Sequence, residues 1–337
     1  MRKFVFAIAI LIGIVFVLVN IAEVQSIVDT LKKGDLRFLL LALGVEALWM
    51  LNVAASFRFI YKALGLDERA GRLIMMAAAA NFVNVIAPSG GVGGMGVFIS
   101  EARRNRYSSA KVTVAGALVV MFDYLGFLSV LGLGLVVLFR RNNINSAELF
   151  ASAFLLLLAI VWGTMLYMGM RSEQTFGRIL ARLVGIANGA LRPFIRREYL
   201  SKERAYAFAH DASEGLILLR QKPINLIIPA FLGLTSKLLL MLILLLLFLA
   251  FQVPFSAGTI VAGFSMGYLF YIVSPTPSGI GFMEGALTLG LSSLNVPIGA
   301  AAVIALAYRG ITFWLPLLVG MLAFRWLGRE KSVEASA

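Results

Sequence analysis

Five ionisable residues lie well inside apolar stretches of the sequence, and they are the first candidates for chemistry. A charged group in hydrocarbon is costly unless it is paired or hydrated, so such residues indicate a function by default. Three acids and two bases would neutralise one another in a shared interior, either as structural ion pairs or along a polar path. We expect at least Glu284 and Arg309 to line such a path. The five residues are Glu46, Asp123, Lys237, Glu284 and Arg309.

Two breaks rich in proline and glycine interrupt apolar segments that would otherwise continue as helices. Residues 274–285 read S-P-T-P-S-G-I-G-F-M-E-G, and residues 81–96 read N-F-V-N-V-I-A-P-S-G-G-V-G-G-M-G. Proline removes a backbone donor and clashes with the preceding turn. Irregular backbone at membrane depth persists only where protein or a water-filled cavity covers it. Both segments are predicted to be broken or re-entrant hairpins that line something polar, although two short full crossings also fit the sequence.

The centre of each break would free backbone N–H groups at the start of a following half-helix. These donors and the helix dipole favour an anion such as phosphate. A packing kink would explain one break, but two breaks in corresponding places favour a functional role. Glu46, Asp123 and Lys237 are expected to be supporting intramembrane charges. The predicted substrate-binding residues are Pro88, Ser89, Gly90, Pro277, Ser278, Gly279, Glu284 and Arg309.

The composition indicates an all-α polytopic membrane protein. Of 337 residues, 60% are apolar and 14% are charged, whereas a soluble domain carries about a quarter charged residues. The formal charge of +13 favours cytoplasmic loops that face anionic lipid, and it does not indicate nucleic-acid binding. The chain has no cysteine and one histidine, which argues against a metal site. No nucleophile is paired with a base, so neither an enzyme nor a cofactor is predicted.

Segment length predicts about six full spans beside the two broken hairpins, or eight if each hairpin counts as two short spans. A span needs about 20 mostly apolar residues. The first segment is interpreted as a retained helix, because no convincing signal-peptide cleavage site follows it. The predicted spans are residues 4–21, 36–60, 112–138, 149–170, 224–251 and 300–324.

The distribution of Lys and Arg predicts the orientation of one membrane domain covering residues 1–337. Residues 171–222 are basic and include an amphipathic helix suited to the membrane interface, so this segment and both termini are predicted to be cytoplasmic. The two hairpins then open to opposite faces of the membrane. Residues 36–138 and 224–324 become inverted repeats, a pattern typical of transporters. Arg140 and Arg141 do not fit this topology, since it places them outside.

Several elements resemble the lysylphosphatidylglycerol synthase membrane-domain family. Residues 275–286 are similar to its P-x-P-G-G-x-G-x-x-E-x-x element, with Ser278 in place of a glycine. Tyr308-Arg309, followed by Thr312 and Pro316, resembles its Y-R-x-x-T-x-x-x-P element. The resemblance implies a flippase-like module that moves aminoacylated or glycosylated lipids between leaflets. The aminoacyl-transferase domain fused to this module in multiple peptide resistance factors does not follow here, so lipid synthesis is not expected.

We therefore expect a lipid flippase-like transporter of a prokaryotic cytoplasmic membrane that moves a phospholipid or glycolipid headgroup between leaflets. Arg309 would hold phosphate, and Glu284 would meet a cationic headgroup or close an ion pair. The alternative is a non-transporting partner subunit of a lipid-modifying or glycosyltransferase enzyme. The expected partners are an anionic, aminoacylated or glycosylated lipid, with a lipid-synthesising enzyme or a second copy of the chain as further possibilities.

Overall fold

Helices make up nearly all of the computed structural model, which describes residues 21–86, 92–141, 146–191, 201–274 and 276–334. No strand occurs within these ranges, since a helix satisfies its own backbone hydrogen bonds where water is absent. The helices are α1 (Ile21–Leu31), α2 (Leu36–Ala63), α3 (Ala70–Ile86), α4 (Val92–Arg104), α5 (Ser109–Arg140), α6 (Ser146–Arg171), α7 (Glu173–Leu191), α8 (Lys202–Gln221), α9 (Ile227–Ala250), α10 (Ala257–Val273), α11 (Phe282–Ser293), α12 (Ile298–Arg309) and α13 (Leu315–Glu334).

Five helical segments in the described chain are long and apolar enough to cross a membrane. Three are α2, α5 and α6, the fourth is α9 with the short turn before it (Pro223–Ala250), and the fifth runs through α12 and α13 (Ile298–Gly328). They correspond to five of the six predicted spans, and the all-α polytopic fold is confirmed. The first predicted span, residues 4–21, lies almost entirely outside the described residues.

The last span contains a π-helical turn at Gly310–Trp314 that the sequence analysis did not predict. The N–H of Leu315 donates to the carbonyl of Gly310, five residues back. Pro316 has no N–H to offer Thr312, and the Thr312 hydroxyl donates to the Tyr308 carbonyl at 2.8 Å. The wide turn therefore accommodates the proline without ending the helix, and it follows directly after Arg309.

The helices that flank each break pack as antiparallel pairs. In the first pair, α3 and α4, Arg72 and Glu101 form an ion pair of 2.7 Å at one end. At the other end the N–H of Gly94 donates to Asn84 Oδ1 at 2.6 Å. In the second pair, α10 and α11, Gly263 faces Leu291 and Gly267 faces Leu287. Each break thus lies where the chain reverses direction.

Small residues let the spans approach backbone to backbone. A Cβ at Gly126 of α5 would lie 2.4 Å from the carbonyl oxygen of Gly233 in α9. A Cβ at Gly320 of α13 would lie equally close, 2.4 Å, to the carbonyl oxygen of Ala78 in α3. Helices in lipid gain association energy from such close packing. These two contacts therefore require glycine at Gly126 and Gly320.

The basic segment, residues 171–222, contains two helices that pack on each other. Phe176 and Ala181 of α7 are buried, whereas Ile186 is exposed. His210 Nδ1 donates a 2.9 Å hydrogen bond to Glu173 Oε1, and this contact raises the pKa of the exposed histidine. The hydroxyl of Ser108 donates to Asp211 and ties α8 to the start of α5. The predicted interfacial helix is present as α7, and its position at a membrane surface stays a prediction.

Adding one methyl group should separate the packed spans. We expect Gly126→Ala to lower the free energy of unfolding by about 1–3 kcal/mol, the usual cost of overpacking. Gly132→Ala in the same helix is the matched control, because a Cβ there meets nothing within 4 Å. Thermal unfolding of both variants in detergent measures the effect. Equal stability of the two variants would show that α5 and α9 are not in backbone contact.

Candidate functional site

A cavity of about 570 Å³ lies inside the bundle, between both helix pairs and helices α2, α5 and α9. This volume is within the usual range for small-molecule sites. Aromatic and aliphatic side chains such as Met50, Phe57 and Phe122 form much of its wall. The polar residues on the wall are Ser56, Asn81, Asn84, Asp123, Tyr124, Ser236, Tyr268, Tyr271, Ser274, Thr276 and Ser278. The cavity therefore offers hydrogen-bonding groups at a depth where the outer surface of the bundle is apolar.

The second break borders this cavity through Ser278 and Gly279. Its backbone forms a 3₁₀ turn over Pro277–Gly279, with positive φ values of 52° at Ser278 and 71° at Gly279. A Cβ at Gly279 would also lie 2.8 Å from the Tyr271 ring, so both the φ value and the contact favour glycine. The Thr276 hydroxyl donates to the Ile280 carbonyl at 2.8 Å and caps the turn.

Arg309 fastens this turn to the last span. Its Nε lies 2.7 Å from Glu284 Oε1, and its terminal nitrogen donates to the carbonyl of Ser278 at 2.6 Å. The guanidinium carbon lies 3.8 Å from the centroid of the Phe313 ring, a cation–π distance. Glu284 occupies the first turn of α11, where a carboxylate complements the helix dipole. The sequence analysis predicted a bound anion at the start of this half-helix. In the structure the Glu284 carboxylate of the protein itself occupies that position.

Arg309 does not line the large cavity. It lines a second, smaller cavity of about 70 Å³. Tyr308 and Thr312 also line this smaller space. Ser278 and Asn81 border both cavities. Ser278, in the second break, therefore lies between Arg309 and the larger cavity.

A second ion pair joins two spans at the wall of the large cavity. Lys237 Nζ lies 2.6 Å from Asp123 Oδ1 and donates to the Tyr268 hydroxyl at 2.5 Å. The Ser236 hydroxyl donates to Asp123 at 3.3 Å and accepts a 3.0 Å hydrogen bond from the Trp49 indole. The Lys237 side chain is fully buried, whereas 29% of the Asp123 side chain is exposed. Asp123 thus presents a carboxylate to the cavity while its charge is balanced from behind.

Glu46 is not brought into either ion pair. Its side chain has no exposed surface, and both carboxyl oxygens lack a hydrogen-bond partner within the described part of the chain. The structure therefore assembles four of the five predicted intramembrane charges into two pairs and keeps the fifth apart.

The centre of the first break, with the predicted site residues Pro88, Ser89 and Gly90, lies outside the described residues. Its flanks are described, and Asn84 and Gly94 both border the large cavity. Gly94 must be glycine there, because a Cβ would lie 2.7 Å from the Ala80 carbonyl oxygen.

Comparison with known proteins connects these motifs to a family. Residues 4–320 match the model for the lysylphosphatidylglycerol synthase TM region. The chain belongs to this family. The resemblance seen at residues 275–286 and around Arg309 is thereby confirmed.

Two archaeal relatives of this lysylphosphatidylglycerol synthase TM chain match along nearly their whole length. A UPF0104 membrane protein of Methanothermobacter thermautotrophicus is 24% identical, covering 97% of this chain and 96% of the relative. The UPF0104 membrane protein MJ1595 of Methanocaldococcus jannaschii is 22% identical, covering 96% and 95%. These similarities support a prokaryotic multi-pass membrane protein.

Sequence reasoning included Ser278 but missed the asparagines and tyrosines among the uncharged polar residues of the wall. Asn81 and Asn84 stand three residues apart in α3, as do Tyr268 and Tyr271 in α10. Residues at this spacing share one helix face. The asparagines stand at the start of the first break, and the tyrosines lie just before the second. Polar residues at that spacing beside a break were therefore an available signal. Trp49 carried no comparable signal, since tryptophan is common in membrane proteins.

The absence of native cysteine permits a direct test of water in the cavity. We expect Ser274→Cys, at the cavity wall, to react with a small water-soluble thiol reagent. Ser265→Cys in α10, the helix that ends just before Ser274, should stay unreactive, because Ser265 is 1% exposed and packs against Gly134. Mass spectrometry of the detergent-solubilised protein measures the modification. An unreactive residue 274 would mean that the cavity is closed to water.

Proposed function

We propose that this protein is a lipid flippase-like transporter that moves a phospholipid or glycolipid headgroup between the leaflets. The observation that carries the proposal is the large cavity of about 570 Å³ inside an apolar helix bundle, with polar groups concentrated on its wall. A headgroup needs such a hydrated space to cross, while the acyl chains can remain in lipid. Membership of the lysylphosphatidylglycerol synthase TM family agrees with a role at membrane lipid.

We further propose that the two helix pairs are re-entrant hairpins that enter from opposite faces. The first pair connects to the start of α5, where Ser108 caps that helix. At the other end of α5, the base of the second pair is held by a 2.9 Å hydrogen bond from Arg141 to Ser256. A helix of 32 residues spans about 48 Å, enough to separate the two membrane faces.

The ends of the two pairs that lie nearest the breaks meet in the middle of the bundle. Ile280, within the second break, packs against the hydrophobic cluster that includes Phe82 and Val85 near the end of α3. Helix α3 packs on α13, and α10 packs on α5. If residues 36–138 and 224–324 are inverted repeats, α3 is equivalent to α10 and the span containing α13 is equivalent to α5. The two contacts are then equivalent to each other. This arrangement supports a path that passes between the two breaks and that alternating access could open to either side.

Arg309 and Glu284 have a specific role in this proposal. In the conformation described here they hold the second break against α12, and Arg309 donates to the Ser278 carbonyl. Movement of that break would expose the guanidinium to a headgroup phosphate. Glu284 would then meet a cationic group on the lipid or re-form the pair.

Variants at this pair test transport. We expect Glu284→Gln and Arg309→Met each to slow leaflet exchange of a labelled lipid in proteoliposomes by at least about tenfold. Each variant removes one charge of the ion pair, and a loss of about 1.4 kcal/mol in the transition state is enough to slow the rate about tenfold. Glu214→Gln is the control, because 60% of the Glu214 side chain is exposed and it pairs only with Lys111 among the described contacts.

Folding is checked by size-exclusion chromatography and thermal unfolding. Normal exchange by both folded variants would remove the role assigned to the pair. If purified wild-type protein exchanges no lipid, the transporter proposal fails and a partner-subunit function becomes the better interpretation.

Cysteine labelling in cells tests the opposed orientation. Gln221 and Ala257 are exposed at the two ends of the span that contains α9. We expect a membrane-impermeant maleimide to label Ala257→Cys in intact cells and Gln221→Cys only after permeabilisation. Labelling of both residues from one side would rule out the proposed topology.

A further inference from the structure

The wall of the large cavity around Asp123 is charge-balanced. Asp123 is the one Asp, Glu, Lys, Arg or His among the described residues that line this cavity. The break residues 87–91, which the structure leaves undescribed, read Ala-Pro-Ser-Gly-Gly and contain no cation. Among the described lining residues and residues 87–91, a ligand at this wall therefore meets either Asp123 or an uncharged group.

Lys237 neutralises Asp123 without reaching the cavity itself. Its side chain is fully buried and its Nζ lies 2.6 Å from the carboxylate. An ammonium group entering the cavity would have to compete with this lysine for the carboxylate. A phosphate would lose its hydration without finding a cation at this wall. The charge pattern therefore disfavours both kinds of ion here.

Hydrogen-bonding capacity remains at the carboxylate. An ionised carboxylate offers about four acceptor positions and no donor. Its described partners are Lys237 and Ser236 at Oδ1 and the Tyr268 hydroxyl, at 3.4 Å, at Oδ2. The exposed part of Asp123 can thus accept another hydrogen bond from a neutral donor in the cavity.

Nearby groups fit the same kind of ligand. Asn81 lines the cavity, and its amide can both donate and accept. The rings of Tyr268 and Tyr271 lie 5.4 Å apart between centroids and form an apolar surface beside Asp123. Paired donors and acceptors next to aromatic rings suit a group with several hydroxyls on a carbon frame.

We infer that this wall recognises the hydroxyl groups of a polyol or sugar headgroup, with Asp123 as the acceptor that determines specificity. The inference rests on the proposed movement of lipid headgroups and names their class. It assigns the hydroxyl-bearing end of the headgroup to the wall formed by Asp123, Asn81 and the two tyrosines. Any phosphate on the same lipid lies away from this wall.

Two lipids of equal charge test the inference. Phosphatidylglycerol and phosphatidylmethanol with identical acyl chains differ in the headgroup hydroxyls, and the purified protein is offered an equimolar mixture in detergent micelles. Native mass spectrometry measures which lipid is retained. We expect wild-type protein to enrich phosphatidylglycerol about tenfold, as for one charge-assisted hydrogen bond. Equal retention of the two lipids overturns the inference, and this comparison needs no variant.

Two variants assign the effect to Asp123. Asp123→Asn combined with Lys237→Met removes both charges together, and we expect the preference for phosphatidylglycerol to fall at least threefold. Lys237→Met alone leaves the carboxylate uncompensated and should shift retention toward a diacyl lipid with a trimethylammonium headgroup. The matched control is Asp29→Asn with Lys32→Met, an exposed ion pair of 3.2 Å. An unchanged preference in the folded Asp123/Lys237 double variant overturns the role of Asp123.

Leaflet exchange of the same lipids is measured separately in proteoliposomes. A wild-type protein that prefers phosphatidylglycerol but exchanges no lipid contradicts the transport proposal and leaves hydroxyl recognition standing. A protein that exchanges both lipids equally and retains both equally contradicts hydroxyl recognition and leaves transport standing.

Discussion

The second break exists at the centre of the bundle because Arg309 satisfies its backbone. The carbonyl of Ser278 has no helical partner, and the guanidinium donates to it at 2.6 Å. Glu284 neutralises the same guanidinium at 2.7 Å, so neither charge is buried alone. Removing one member of such a pair leaves an uncompensated charge, which is the costly outcome in a low-dielectric interior. The π-helical turn begins directly after Arg309, at Gly310, so it lies next to this contact.

The rest of the bundle repeats this principle with different residues. Lys237 is fully buried against Asp123, and Arg72 pairs with Glu101 near the base of the first helix pair. These charged side chains therefore form ion pairs inside the protein, while the outward surfaces of α2 and α6 are apolar. Glycine contacts such as Gly126 on Gly233 bring the helices close enough for these pairs to form. The large cavity remains where two broken helix pairs leave the bundle incompletely filled.

The two ion pairs have different relations to the cavity and therefore different places in the proposed mechanism. Neither Arg309 nor Glu284 borders the large cavity, and their contacts hold the second break in place, so they bear on whether that break can move. Asp123 lies on the wall itself and is partly exposed, so it bears on what the cavity accepts. Glu46 contacts neither ion pair and lines neither cavity in the conformation described. No contact among the described residues explains why its two carboxyl oxygens lack hydrogen-bond partners.

The sequence by itself determined the class of fold, most of the spans and the position of the breaks. These properties are local: apolar length decides whether a helix can cross a membrane, and proline or glycine decides where it cannot continue. Only the tertiary structure decided which charges pair and which uncharged residues share the cavity wall. Three acids and two bases permit several pairings, and the choice depends on which helix faces meet across more than a hundred residues of chain, as for Asp123 and Lys237. The contributions of Trp49 and Asn81 depended in the same way on the packing of distant helices.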